Sequence, residues 1–147
     1  MGAKICHGSG IGLGVAHHQE EAEVGIGEEM NARIARAVTA IYRGICGRGP
    51  TTARAMCQRN VVVVVLEEVR TQAERSLVAR DRCDEALALR RELHGAMRDE
   101  LALAVSQLTR CPVHAVMGDA QLEPDFAVEV FLLDRVVDLT PLATQAR

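Results

Sequence analysis

The chain has 147 residues, of which 48% are hydrophobic and 25% charged, with a formal net charge of −3. That length fits one domain with a true core, and a slightly acidic balance with no basic block argues against a nucleic-acid partner. Aromatic rings are limited to Tyr42, Phe126 and Phe131, too few for a base-stacking platform.

In chain order, residues 1–27 read as a flexible tail. Gly8, Gly10, Gly12, Gly14, Gly25 and Gly27 make ordering entropically expensive there. The glycines do not form a dinucleotide fingerprint, because the third position falls on Leu13, Val15 or His17. The folded part, residues 28–134, opens with an amphipathic helix. Its stripe is Met30, Ile34, Val38 (or Ala37), Ile41 and Ile45. Glu28 and Glu29 suit the positive end of that helix. Gly47 can take the left-handed conformation that closes it, and Pro50 prevents its continuation.

A β-hairpin follows, Thr51 to Cys57 and Val61 to Glu67, turning at Gln58-Arg59-Asn60. Five consecutive valines do not alternate with polar residues, so the second strand reads as central and covered on both faces. Thr71 with Glu74 three residues on is a capping-box pattern, predicting a short helix over Gln72 to Ala79. A long helix from about Asp84 to Leu108 carries the stripe Leu89, Leu93, Met97, Leu101, Ala104 (or Val105) and Leu108. Arg90, Arg91, Arg98, Asp99 and Glu100 are assigned to its outer surface. Gly95 predicts close packing against the sheet. Two further strands, Pro112 to Met117 and Phe126 to Leu133, flank a polar loop from Gly118 to Asp125. In the second of these, Ala127, Glu129, Phe131 and Leu133 share one face, with Glu129 among hydrophobes. Residues 135–147 read as a loose C-terminal tail in which Val136, Val137 and Leu139 could dock.

The order is α-β-β-α-α-β-β. Two hairpins cannot each bury a face alone. Joined, they predict an α+β two-layer sandwich: a four-stranded antiparallel sheet with helices packed on one face. On this reading Phe131, Leu133, Val62 and Val64 meet water on the other face and form a candidate interface for self-association into a homodimer.

From Glu28 to Asp134 the pattern resembles the MpsC-like family, once known only as a bacterial domain of unknown function. The likeness is carried by "GRGP" (Gly47 to Pro50), "VVVVVLEEV", "TQAERSLV", "ALRRELHGAMRDEL" and "PDFAVEVFLLD". The resemblance implies a small soluble accessory protein beside membrane transport components, in a sodium-translocating, membrane-potential-generating system linked to inorganic-carbon (bicarbonate) uptake. It supplies no catalytic residues and no cofactor. One departure is the loop Glu67 to Gln72, where members of the family tend to have a glycine and a proline.

Candidate chemistry is sparse. The loop Cys46 to Thr52 invites an anion site made by Arg48 and Gly49. However, it leaves the negative end of a helix, and Pro50 removes a donor, so its first duty is to turn the chain. This anion-sensing reading is the alternative to the accessory protein. Cys111 and His114 lie three apart on a strand and so point to opposite faces, which separates them as metal ligands. Cys6, His7, His17 and His18 would need an ordered tail to hold a metal; no metal site is assigned. His94 and His114 lack a partner in sequence that suggests a nucleophilic triad, and Asp119, Glu123 and Asp125 lack calcium-loop spacing. No catalytic residue and no enzymatic activity are expected.

The five cysteines, Cys6, Cys46, Cys57, Cys83 and Cys111, are odd in number and irregular in spacing. They read as reduced thiols of a cytoplasmic protein. The longest apolar run, Val61 to Leu66, falls far short of the ~20 residues that span a bilayer. The glycine-broken stretch Ile11 to Ala16 is a poor signal-peptide core.

Overall fold

A computed structural model of the chain describes residues 17–139, with side chains from residue 27 onward. The elements are α1 (His17–Cys46), β1 (Thr52–Gln58), β2 (Val61–Glu67), α2 (Gln72–Val78), α3 (Cys83–Thr109), β3 (Val113–Gln121) and β4 (Phe126–Leu133). The expected α+β order is therefore present. The strands form one antiparallel sheet in the order β1-β2-β4-β3.

Two boundaries differ markedly from the sequence reading, and the docking it allowed for the C-terminal segment is present at Val137. Helix α1 begins at His17, inside the segment expected to be tail. The run Gln19-Glu20-Glu21-Ala22-Glu23 has strong helix formers, and Gly25 and Gly27 do not interrupt it. Strand β3 runs on to Gln121, because Gly118, Asp119 and Ala120 pair with Glu129, Val128 and Ala127. Polar residues are tolerated there because β3 is an edge strand. Val137 docks, buried, with its N–H on the Arg59 carbonyl at 2.9 Å. The glycine-rich stretch 1–16 and residues 140–147 lie outside the described residues.

Helices α1 and α3 pack on each other and cover one face of the sheet, α1 against β1 and α3 mainly against β3. Ile34, Val38 and Tyr42 descend from α1, and Met97, Leu101 and Val105 from α3. They meet Val62, Val64 and Leu66 of β2 and Phe131 and Leu133 of β4. These four strand residues of the expected interface, Phe131, Leu133, Val62 and Val64, are thus core, all at most 2% exposed. The alternation was readable but the face was not. Period two says which residues share a side, and only the helix layer says which side is covered.

The opposite side carries Val61, Val63 and Val65 of β2 and Val128, Val130 and Leu132 of β4, all half-buried or exposed. Strand β2 is central, as its composition implied, yet among the described residues no element covers this second face.

Local chemistry explains the connections. Gly47 has φ +77° and closes α1. A Cβ on Gly49 would lie 3.3 Å from Thr39 Cγ2, so the chain returns close over α1. Thr71 and Glu74 complete a reciprocal capping box on α2. Glu68, in the β2–α2 loop, has φ +56°. Gly95 meets nothing within 4 Å, so it does not pack on the sheet as expected.

Candidate functional site

Four elements converge on a cavity of about 300 Å³ between α3 and the β3–β4 hairpin. Helix α3 contributes Leu87, Arg90, Arg91 and His94, and α1 contributes Tyr42. The sheet contributes Gly118, Asp119 and Ala120 from β3 and Ala127 and Glu129 from β4.

Glu129 anchors the polar contacts of its wall. On β4 it occupies an inward position between Ala127 and Phe131 and is 1% exposed. A buried carboxylate must find hydrogen-bond donors, and this one has two. Tyr42 donates its O–H to Oε1 at 2.6 Å, and His94 Nε2 lies 2.7 Å from Oε2. Burial, then the charge and hydrogen bond of Glu129, push the Tyr42 hydroxyl far above its ordinary pKa, so it stays neutral. The hydrogen bond to Glu129 raises the His94 pKa. Partial burial opposes this, the Glu129 charge adds to it, and Arg98 again opposes it. Gly118 makes room for the contact. It pairs with Glu129 across the strands, and a Cβ there would overlap His94 Nε2 and lie 2.5 Å from Glu129 Oε2.

A second buried ion pair adjoins the first. Arg90 Nη2 donates to Glu74 Oε2 at 2.5 Å and to the Val69 carbonyl at 2.8 Å. Glu74 Oε2 also accepts from the Thr71 N–H at 2.6 Å. Arg90 Nη1 and Glu74 Oε1 are buried without a hydrogen-bond partner. Burial pushes the nearby Cys46 thiol up, with Arg90 acting the other way.

The sequence reading missed this cluster. It assigned Arg90 to the outer surface, whereas Arg90 is 5% exposed. Ala86, Arg90, Met97, Leu101, Val105 and Thr109 are the buried line of α3. The usable signals were Glu129 alone in an apolar strand and the (i, i+4) pair Arg90 and His94. Tyr42, on the same helical line as Ile34 and Val38, was a third. Their convergence depends on non-local pairing and was not readable.

The loop that offers Arg48 and Gly49 as an alternative anion site turns the chain, and its arginine ties two loops together. Arg48 Nη1 donates to the Arg70 carbonyl at 3.2 Å, tying the α1–β1 loop to the β2–α2 loop. The β2–α2 loop is fixed from a third side by Asp125, whose Oδ1 accepts from the Val69 and Arg70 N–H groups at 3.1 and 3.2 Å. Asp125, the last residue of the β3–β4 loop, thus serves as a loop cap. Among the described residues no three His, Cys, Asp or Glu side chains form a metal-holding group. Cys6, His7, His17 and His18 fall outside the described residues or side chains.

The model of one family matches residues 27–135, and its description is Na+-translocating membrane potential-generating system (MpsC). No curated protein and no solved structure matches the chain. Among the described residues no helix is long and apolar enough to cross a membrane.

Proposed function

Because the chain belongs to the MpsC family, we propose that it is a non-enzymatic, soluble accessory component of a Na+-translocating, membrane-potential-generating system. It works from the cytoplasm as a homodimer and contacts a membrane transport component. The resemblance extends the proposal to inorganic-carbon uptake.

The observation that carries this reading is the uncovered face of the sheet. Its transverse rows follow from the strand register: Gln58-Val61-Leu132-Ala115, Met56-Val63-Val130-Met117 and Arg54-Val65-Val128-Asp119. Met56, Met117 and Leu132 are 54%, 69% and 38% exposed, an apolar patch of the kind that marks contact surfaces. Four strands of seven residues span roughly 440 Å² in projection.

The pattern is self-complementary. Consider a two-fold axis parallel to the strands, between β2 and β4. It lays β1 of one protomer over the partner's β3 and keeps each row level. Arg54 then faces the partner's Asp119, and Met56 faces the partner's Met117, twice each. An isologous contact requires such pairing, and aligned sheets pack ~10 Å apart, within reach of an Arg–Asp pair.

Light scattering at several concentrations tests the reading. Wild type is expected at twice the chain mass. Val63→Lys, which places a charge at the centre of the face without entering the core, is expected to be a folded monomer. A wild-type monomer at every concentration, or an unchanged Val63→Lys dimer, refutes the interface. Co-purification from cells then tests the membrane partner.

A further inference from the structure

We propose that the free edge of β3, beside α3, takes up an extended acidic peptide segment of a partner protein as an added strand. The hydrogen-bond parity of β4 decides which backbone groups of β3 are free. Leu133 bonds toward β2, its N–H on the Asn60 carbonyl, and Asp134 bonds toward β3, its N–H on the Pro112 carbonyl. In antiparallel strands the N–H and C=O of one residue point to the same side, and successive residues point to opposite sides. Val128 and Val130 therefore bond to Asp119 and Met117, their partners in register. Val116, Gly118 and Ala120 turn their N–H and C=O groups off the edge. The Ala120 N–H agrees with this, since Asp119 Oδ1 accepts it at 2.8 Å. Gly118 is exposed, and its outward N–H and C=O have no partner among the described residues. Strand β3 also carries neither Pro nor Lys, the common guards of an edge. Such an edge is a template for main-chain pairing with an extended peptide.

The charge of the partner follows from α3. Leu87, Arg91, His94 and Arg98 follow one another along one line of the helix. Leu87, Arg91 and His94 wall the cavity beside Gly118 and Ala120, so this line borders the β3 edge. Arg98 lies one turn beyond His94, and its charge acts on that ring. Arg91 and Arg98 are exposed and in no ion pair among the described residues. The acids Glu92, Asp99 and Glu100 stand off this line. A strand laid along β3 sends alternate side chains to opposite faces. One set meets the arginines, which calls for carboxylates. The other set continues the uncovered face beside Met117, 69% exposed, which calls for apolar residues. Asp119 lies on that second face, with Oδ1 engaged by Ala120. The homodimer is not a premise, because its axis lies between β2 and β4, away from this edge.

The test is a fluorescence titration of the full chain with a labelled, capped heptapeptide alternating glutamate and valine, with hydrogen exchange followed at Gly118. Saturable binding and slower exchange of the Gly118 amide are expected. Lysine in place of the peptide's glutamates should weaken binding about tenfold or more. Proline at the peptide's centre should do the same, because it cannot complete the ladder. Arg91→Glu and Arg98→Glu, both on the surface, should each weaken binding about fivefold or more, while Arg33→Glu, on α1, leaves it unchanged. No saturable binding, unchanged exchange at Gly118, equal affinity for the lysine or proline peptide, or equal loss in Arg33→Glu overturns the proposal.

Discussion

Tyr42 is the single tyrosine of the chain, and its hydroxyl is buried between α1 and the sheet against Glu129. Its raised pKa comes first from burial and then from that carboxylate. A phenol whose folded pKa exceeds the unfolded value, 10.0, adds stability below that value, and the contribution is lost as pH rises above it. The tyrosinate absorbance of the native protein should therefore appear only together with unfolding, in one cooperative step. Tyrosinate formation in a folded chain, judged by circular dichroism, would contradict the buried contact. Tyr42→Phe should cost about 1–3 kcal/mol, because a buried carboxylate loses one of its two side-chain donors.

His94 is the other donor to Glu129. Around it stand Tyr42 from α1, Arg90, Arg91 and Arg98 from α3, Asp119 from β3 and Glu129 from β4. Its folded pKa is raised above 6.5 by the Glu129 hydrogen bond. The stabilisation is thus complete below 6.5 and is lost as pH climbs through the folded pKa. Denaturant midpoints should fall from pH ~6 to ~8 in wild type and stay flatter in His94→Gln. Equal slopes in the two proteins would remove the imidazolium–carboxylate pair.

At the scale of elements, helix ends and turns obey local rules, with some strain. Helix α3 ends at Arg110, a non-glycine residue at φ +57°. Left-handed backbone costs an L-residue roughly 1 kcal/mol or more, and glycine is the usual occupant of this position. Arg110→Gly should raise stability by about 1 kcal/mol in chemical denaturation; a loss would mean that the arginine side chain contributes more than its backbone strain. The capping box on α2 shows the opposite case, in which a readable local pattern also serves the tertiary structure. Glu74 caps Thr71 and with the same oxygen receives Arg90.

For the whole molecule, the proposed dimer makes a charge prediction. Arg54 has only a weak exposed contact to Glu67 at 3.4 Å, and Asp119 stands in the same row at the other edge. Arg54→Asp alone should weaken the dimer about fivefold or more. Arg54→Asp with Asp119→Arg should restore it, since both cross-partner pairs are then reversed. Sedimentation equilibrium measures both, and a double variant no tighter than the single one rejects this symmetry axis.

Much of the fold could be read residue by residue: the α-β-β-α-α-β-β order, the Gly47 stop, the Thr71–Glu74 cap and the alternation along β4. Each of these is local, decided by propensity, capping or period within a few neighbours. The covered face of the sheet, the burial of Arg90 and the meeting of Tyr42, His94 and Glu129 are not local. They arise where α1, α3 and β4, remote along the chain, are brought together, and no local pattern states which side of a sheet a helix will take.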